Sequence, residues 1–146
     1  MRAEVEVLQE VTDEVVKAFG RLLPQLSRSA GPLDAEALET LVTWRGNRLL
    51  VARIDGEILG ALTLVMFPIP TGLRAWIEDV VVDEAARGRG VGAALIGEAT
   101  RLARADGALT VDLTSRPSRE AANRLYERLG FQARDSKVYR VPGTGS

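Results

Sequence analysis

The sequence predicts an α/β (α+β) fold organised around a mixed sheet, and three observations carry that prediction. Strand-like and helix-like apolar patterns follow one another in the order β-α-α-β-β-β-α-β-α-β. Asp55-Gly56, between two apolar runs, marks a tight type I′ hairpin, so part of the sheet is antiparallel. The stretch Ile77–Leu95, IEDVVVDEAARGRGVGAAL, opens as a β-branched strand and closes as a helix. Such a crossover places the next strand parallel to the one before it.

Each element has its own signal. Val5 and Val7 alternate with Glu4 and Glu6 over Ala3–Leu8, a first strand. Thr12 and Asp13 are candidate caps for a helix through about Leu26, with Val15, Val16, Phe19, Leu22, Leu23 and Leu26 on its apolar side. Pro24 puts its last turn in question. Ser27–Pro32 is loop, and Asp34 caps a second helix through Trp44 that carries Leu38, Leu41 and Val42. Strands follow at Asn47–Ile54 and Ile58–Phe67. Pro68, Pro70 and Gly72 then break the chain before a long strand over Arg74–Val82.

A helix is expected from about Gly90 to Ala105, with Val91, Ala94, Leu95, Ala99 and Leu102 on one side and Asp106-Gly107 as its stop. Leu109–Leu113 is an apolar strand. Ser118 caps a last helix with Ala122, Leu125, Tyr126 and Leu129 on its apolar face. Gly130 supplies a left-handed C-terminal cap, which folds Phe131 back toward Tyr126. Lys137–Val141 reads as a final edge strand and Pro142–Ser146 as a frayed tail. No repeat or linker interrupts the 146 residues, so the expectation is one domain over 1–146, with its core at about 3–141.

Composition closes several routes. Apolar residues make up 46% and charged residues 27%, with a net charge of -1, so no basic field argues for nucleic acid or an acidic membrane. The absence of Cys and His removes disulfides, Cys nucleophiles, His bases and the usual zinc sites, and no metal is expected. No apolar run reaches a membrane-spanning length and Met1–Gln9 has no signal-peptide core, so a cytoplasmic protein is expected.

Chemistry is expected at Arg87-Gly88-Arg89-Gly90-Val91-Gly92. Its glycines permit a sharp turn and close approach of a ligand to the backbone. The helix that follows offers free N–H groups and the positive end of a dipole, which suits a phosphate or pyrophosphate. The spacing is neither a dinucleotide fingerprint nor a P-loop. It resembles the pyrophosphate loop of the GNAT N-acetyltransferase superfamily: Arg or Gln, two residues, Gly, any residue, Gly or Ala. Arg87, Gly90 and Gly92 fill those places.

Two further stretches carry the resemblance. Asn123, Tyr126 and the closing Gly130-Phe131 match the family's late motif, and Ile77–Val82 is similar to its fourth strand. The resemblance spans about residues 3–141. It implies the GNAT fold, a central, mostly antiparallel mixed sheet with splayed fourth and fifth strands and helices on both faces. Acetyl-CoA is the implied co-substrate. Backbone groups of Val80, Val81 and Val82 would pair with its pantetheine arm and supply an oxyanion donor. Gly88, Arg89 and Val91 complete the pyrophosphate loop; Arg89 is equally read as a solvated side chain. Asn123 would contact the CoA arm, and the Tyr126 hydroxyl would approach the sulfur. Tyr126 is alternatively a core residue packed by Phe131.

Glu78 and Asp79, adjacent on a strand, are expected on opposite faces. Glu78 is the candidate general base, directly or through water. A carboxylate titrating near ~4 is a weak base for an amine near ~10, so binding the ammonium is an equal role. Ile77-Glu78-Asp79 is also similar to the glucosamine-phosphate acetyltransferase branch, but nothing else in the chain carries a sugar-phosphate signature.

These features together predict an N-acetyltransferase that moves acetyl from acetyl-CoA to a primary amine, of a small molecule or a protein, by direct attack in a ternary complex. The alternative is a catalytically silent acyl-CoA-binding sensor. A nucleic-acid module would rest on Arg116, Arg119, Arg124 and Arg128, but Glu120 and Glu127 interrupt them and only Tyr126 is there for stacking. The expected partners are acetyl-CoA and an amine acceptor, without nucleic acid or membrane. A homodimer, the acyl-chain preference and the identity of the amine stay open.

Overall fold

The computed structural model describes residues 2–143. It divides into two compact units, Met1–Thr114 and Ser115–Ser146.

The first unit is built on β1 (Glu4–Val7), β2 (Asn47–Ile54), β3 (Glu57–Ile69), β4 (Gly72–Val82) and β5 (Thr110–Asp112), in that order across one sheet. The first three junctions are antiparallel and β4–β5 is parallel, the mixed sheet that the hairpin and the crossover predict. Asp55 and Gly56 both have positive φ, 52° and 82°, as a type I′ turn requires. Helices α1 (Asp13–Leu26) and α2 (Ala35–Thr43) start at the expected caps: Thr12 accepts from the Val15 N–H and Asp34 from the Ala37 N–H. They bury Val15, Phe19, Leu22 and Leu38 against Leu49, Val51, Ala61 and Val81 on one face of the sheet. Helix α3 (Val91–Ala105) packs on the other.

Pro24 does not end α1. The helix runs two residues beyond it and closes with the Ser27 N–H on the Leu23 carbonyl, 3.0 Å. The prolines after Phe67 do not break the sheet either. Met66 donates to Gly46 on the β2 side and β2 pairs no further than Val65, so the missing N–H of Pro68 falls on a free edge. There Pro costs no ladder bond, and the β3–β4 hairpin continues to Ile69 opposite Gly72.

Strands β4 and β5 pair only over Arg74–Trp76 and Thr110–Asp112. Beyond Trp76, β4 runs on to Val82 without β5, the splay expected of the fourth and fifth strands. Gly60 lets the far side close up: a Cβ there would stand 2.6 Å from Val91 Cγ1 and 3.1 Å from Leu95 Cδ1. Among the described residues, no helix is long and apolar enough to cross a membrane.

The second unit contains α4 (Glu120–Arg128). Ser118 does not cap it. The Arg119 N–H closes a turn onto the Arg116 carbonyl, 3.0 Å, which leaves Arg119 at the cap position without a side-chain cap. The C-terminus matches the expectation. Gly130 has φ 98°, Phe131 donates to Tyr126 and Gly130 to Glu127, a Schellman pair. The strand expected at Lys137–Val141 is absent. Val138, Tyr139 and Val141 are strand-forming residue types, but a strand exists only by pairing, and this segment pairs with no strand among the described residues. Val138, Tyr139 and Val141 are accordingly 69%, 88% and 92% exposed. Of the expected tail Pro142–Ser146, residues 144–146 lie outside the described residues.

Candidate active site

Strand β4 does not alternate cleanly where the site residues begin. Ala61 pairs with Val81 and Thr63 with Glu78, so Leu62 alone faces Asp79 and Val80. This is a β-bulge, and Asp79 takes φ 51°, a left-handed conformation that Asp tolerates better than bulkier residues. The expectation of Glu78 and Asp79 on opposite faces assumed unbroken alternation; the bulge interrupts it, with Glu78 paired to Thr63 and Asp79 standing in the bulge opposite Leu62. Both side chains are exposed. Pairing with Thr63 sets Glu78 on the face of Ala61 and Val81, the face that α1 and α2 cover further along.

After the bulge the backbone resumes its alternation. Asp83 donates to Leu59 on β3, 2.8 Å, so Val82 turns its own N–H and C=O toward the side β5 has left. That edge is where an extended ligand finds main-chain partners. The side chains of Val80 and Val82 are half-buried and that of Val81 is buried.

The loop follows without interruption. Asp83 caps a 3-10 turn over Glu84–Ala86 by accepting from the Ala85 N–H, and Ala86 is fully buried. Arg87, Gly88, Arg89 and Gly90 are exposed. Gly88 and Gly90 have φ 78° and 81°, and a Cβ on either would meet nothing within 4 Å, so the space in front of both is open. Gly90 is the N-cap of α3 and has no side chain with which to satisfy it. The first helical bond runs from Ala94 to Gly90, which leaves the N–H groups of Val91, Gly92 and Ala93 without intrahelical acceptors. Three donors, a helix dipole and two exposed arginines, neither in an ion pair among the described residues, meet at this joint, a set of groups suited to an anion.

A GNAT acetyltransferase family model matches residues 11–131. The chain belongs to the GNAT acetyltransferase family. It is similar to the glucosamine 6-phosphate N-acetyltransferase of Trypanosoma brucei brucei, 35% identical over 92% of each chain. An acetyltransferase crystal structure from Trypanosoma brucei superposes with TM-score 0.78 at 30% identity, covering 97% of this chain and 100% of that one. An Agrobacterium tumefaciens protein described as a putative acetyltransferase shares the fold, with TM-score 0.84 at 22% identity over 96% and 99% of the two chains.

The GNAT resemblance named residues in both units. Glu78, Val80–Val82 and Arg87–Gly92 form one continuous strand, loop and helix start in the first. Asn123 and Tyr126 belong to the second. Asn123 Oδ1 accepts from the Ser115 hydroxyl and its Nδ2 donates to the Arg116 carbonyl, 3.1 Å, so this side chain braces the turn ahead of α4. Tyr126 is 8% exposed, edge-on to Phe131 with ring centroids 6.1 Å apart, so the packing role is real whatever the hydroxyl does. Among the described residues, no three His, Cys, Asp or Glu side chains are grouped to hold a metal.

Two contributors escaped the sequence reading. Gly60 admits the start of α3 to the sheet; a lone glycine in a strand pattern was its signal. Asp83 is buried, and its partner Arg21 is 62 residues away, beyond any local pattern.

Proposed function

We propose that this GNAT member transfers acetyl from acetyl-CoA to a primary amine by direct attack in a ternary complex. The carrying observation is the joint itself: a free β4 edge at Val82, a loop open at Gly88 and Gly90, and the unpaired first turn of α3, all in one run. These groups fit the two parts of CoA that such a protein must hold. Backbone groups of Val80–Val82 receive the pantetheine arm, and Arg87–Gly92 receive the pyrophosphate. The thioester supplies an activated acetyl group. The chain contributes alignment and a low-dielectric wall of valines, which strengthens any hydrogen bond made there. Because it lacks Cys and His, acid–base work falls to carboxylates, Tyr, Lys, backbone or water.

Glu78 stands four residues upstream of Val82 and takes the amine, holding its ammonium or removing its proton. Asn123 and Tyr126 enter by the family's late motif, as contacts to the CoA arm and to the leaving sulfur. The family match crosses both compact units, which supports one acetyltransferase domain over 1–146. Likeness to a glucosamine 6-phosphate N-acetyltransferase, together with Ile77-Glu78-Asp79, makes an amino-sugar phosphate the first acceptor to test.

Glu78→Gln tests the acceptor half of this reading. As the base, its loss lowers kcat, leaves acetyl-CoA affinity unchanged and flattens the low-pH limb of the rate profile. As an anchor only, its loss raises KM for the amine at nearly constant kcat. Unchanged kinetics would remove both roles and pass them to Asp79 or to a water.

A further inference from the structure

We propose that Arg21, Gln25 and Asp83 form a clamp that positions the pyrophosphate loop. The inference rests on the reading of Arg87–Gly92 as the pyrophosphate site and adds three residues that act on it from outside. A buried carboxylate is costly unless its oxygens are matched by donors. Asp83, 6% exposed, is matched on both: Oδ1 accepts from the Ala85 N–H at 3.0 Å and Oδ2 from Arg21 Nε at 2.9 Å. These donors, the Ala85 N–H first, hold the carboxyl below its ordinary range, so it stays charged at neutral pH.

The same guanidinium reaches further. Arg21 Nη2 donates to the Ile58 carbonyl at 2.5 Å, and the Asp83 N–H donates to the neighbouring Leu59 carbonyl at 2.8 Å. One turn along α1, Gln25 Oε1 accepts from the Glu84 N–H at 2.9 Å. One face of α1 therefore grips two successive residues at the loop entry and ties them to the start of β3. Past the grip, Ala86 is sealed in the core and its carbonyl accepts from the Arg89 N–H at 3.3 Å. The direction in which Arg87–Gly90 leave the sheet is thus set by Asp83–Ala86, and Asp83–Ala86 are set by α1.

Such a clamp is separable from general fold support by what it does to different ligands. Pantetheine carries the arm of CoA without the pyrophosphate, so a misplaced loop weakens CoA and leaves pantetheine alone. Dissociation constants of CoA by calorimetry, and of pantetheine by NMR titration, are measured for the wild type, Asp83→Asn and Arg21→Gln. The expected result is a tenfold or greater loss for CoA in both variants, with pantetheine changed less than twofold. Arg21→Lys, which retains a donor to the carboxylate, recovers part of the loss. If Asp83→Asn does not fold, Gln25→Ala removes the acceptor of the Glu84 N–H, together with an exposed bond from Nε2 to the Arg21 carbonyl at 3.2 Å, and gives a smaller loss with the same selectivity. Equal weakening of both ligands, or none of either, overturns the clamp. A wild type that binds pantetheine as well as CoA overturns the loop assignment instead, and the clamp with it.

Discussion

Gly90→Val should weaken CoA binding by well over tenfold in a protein that still folds, a loss of more than ~1.4 kcal/mol. Gly90 sits at φ 81°, a conformation that costs a residue with a Cβ roughly 1–2 kcal/mol and a β-branched one more. Strain alone would turn the N-cap and swing the first N–H groups of α3 away from the ligand. The added side chain would also enter space that holds no protein atom within 4 Å of a Cβ, where the phosphates must come. Gly90→Asn separates the two effects, because Asn tolerates a left-handed backbone while still placing a side chain in that space. Calorimetry checks both variants. Unchanged CoA affinity in folded Gly90→Val would remove the phosphate-loop assignment.

Tyr126→Phe is expected to lower kcat roughly 10- to 1000-fold, the range for losing an acid–base contact or a key donor. It keeps the ring that packs edge-on to Phe131. Among the described residues the Tyr126 hydroxyl has no hydrogen-bond partner, so its removal breaks no bond there. Thermal stability and acetyl-CoA affinity should therefore stay close to those of the wild type. A phenol is a weaker acid than a thiol and does not readily protonate a thiolate, so a hydrogen bond to the leaving sulfur is the role tested. Full kcat in a folded variant would leave Tyr126 as packing alone.

Local chemistry is what the sequence made legible. Thr12, Asp34, Asp55-Gly56 and Gly130 each act within four residues of themselves, and each is where its residue type predicts. The strand–loop–helix joint is legible for the same reason, since its function lies in backbone that the glycines expose. Lys137–Val141 failed because strand formation depends on a partner, which a pattern does not contain. Ser118 failed by one residue because the Arg116–Arg119 turn, not side-chain preference, decided where α4 begins. Pro68 misled because a proline is a breaker only where its N–H would have been used. The bulge at Asp79 left no sign in the alternation of Ile77–Val82, yet it decides which face Glu78 occupies. Asp83 and Arg21 were invisible as a pair because a contact 62 residues apart has no local signature.

The central claim is transfer of acetyl to an amine, and one assay meets it directly. Purified protein is incubated with acetyl-CoA and a panel of primary amines that includes glucosamine 6-phosphate, and N-acetylated product and free CoA thiol are measured together. At least one amine is expected to yield both in equal amounts, and Glu78→Gln to alter that rate without altering acetyl-CoA affinity. Tight acetyl-CoA binding with no product from any amine would contradict that claim and leave an acyl-CoA sensor in its place.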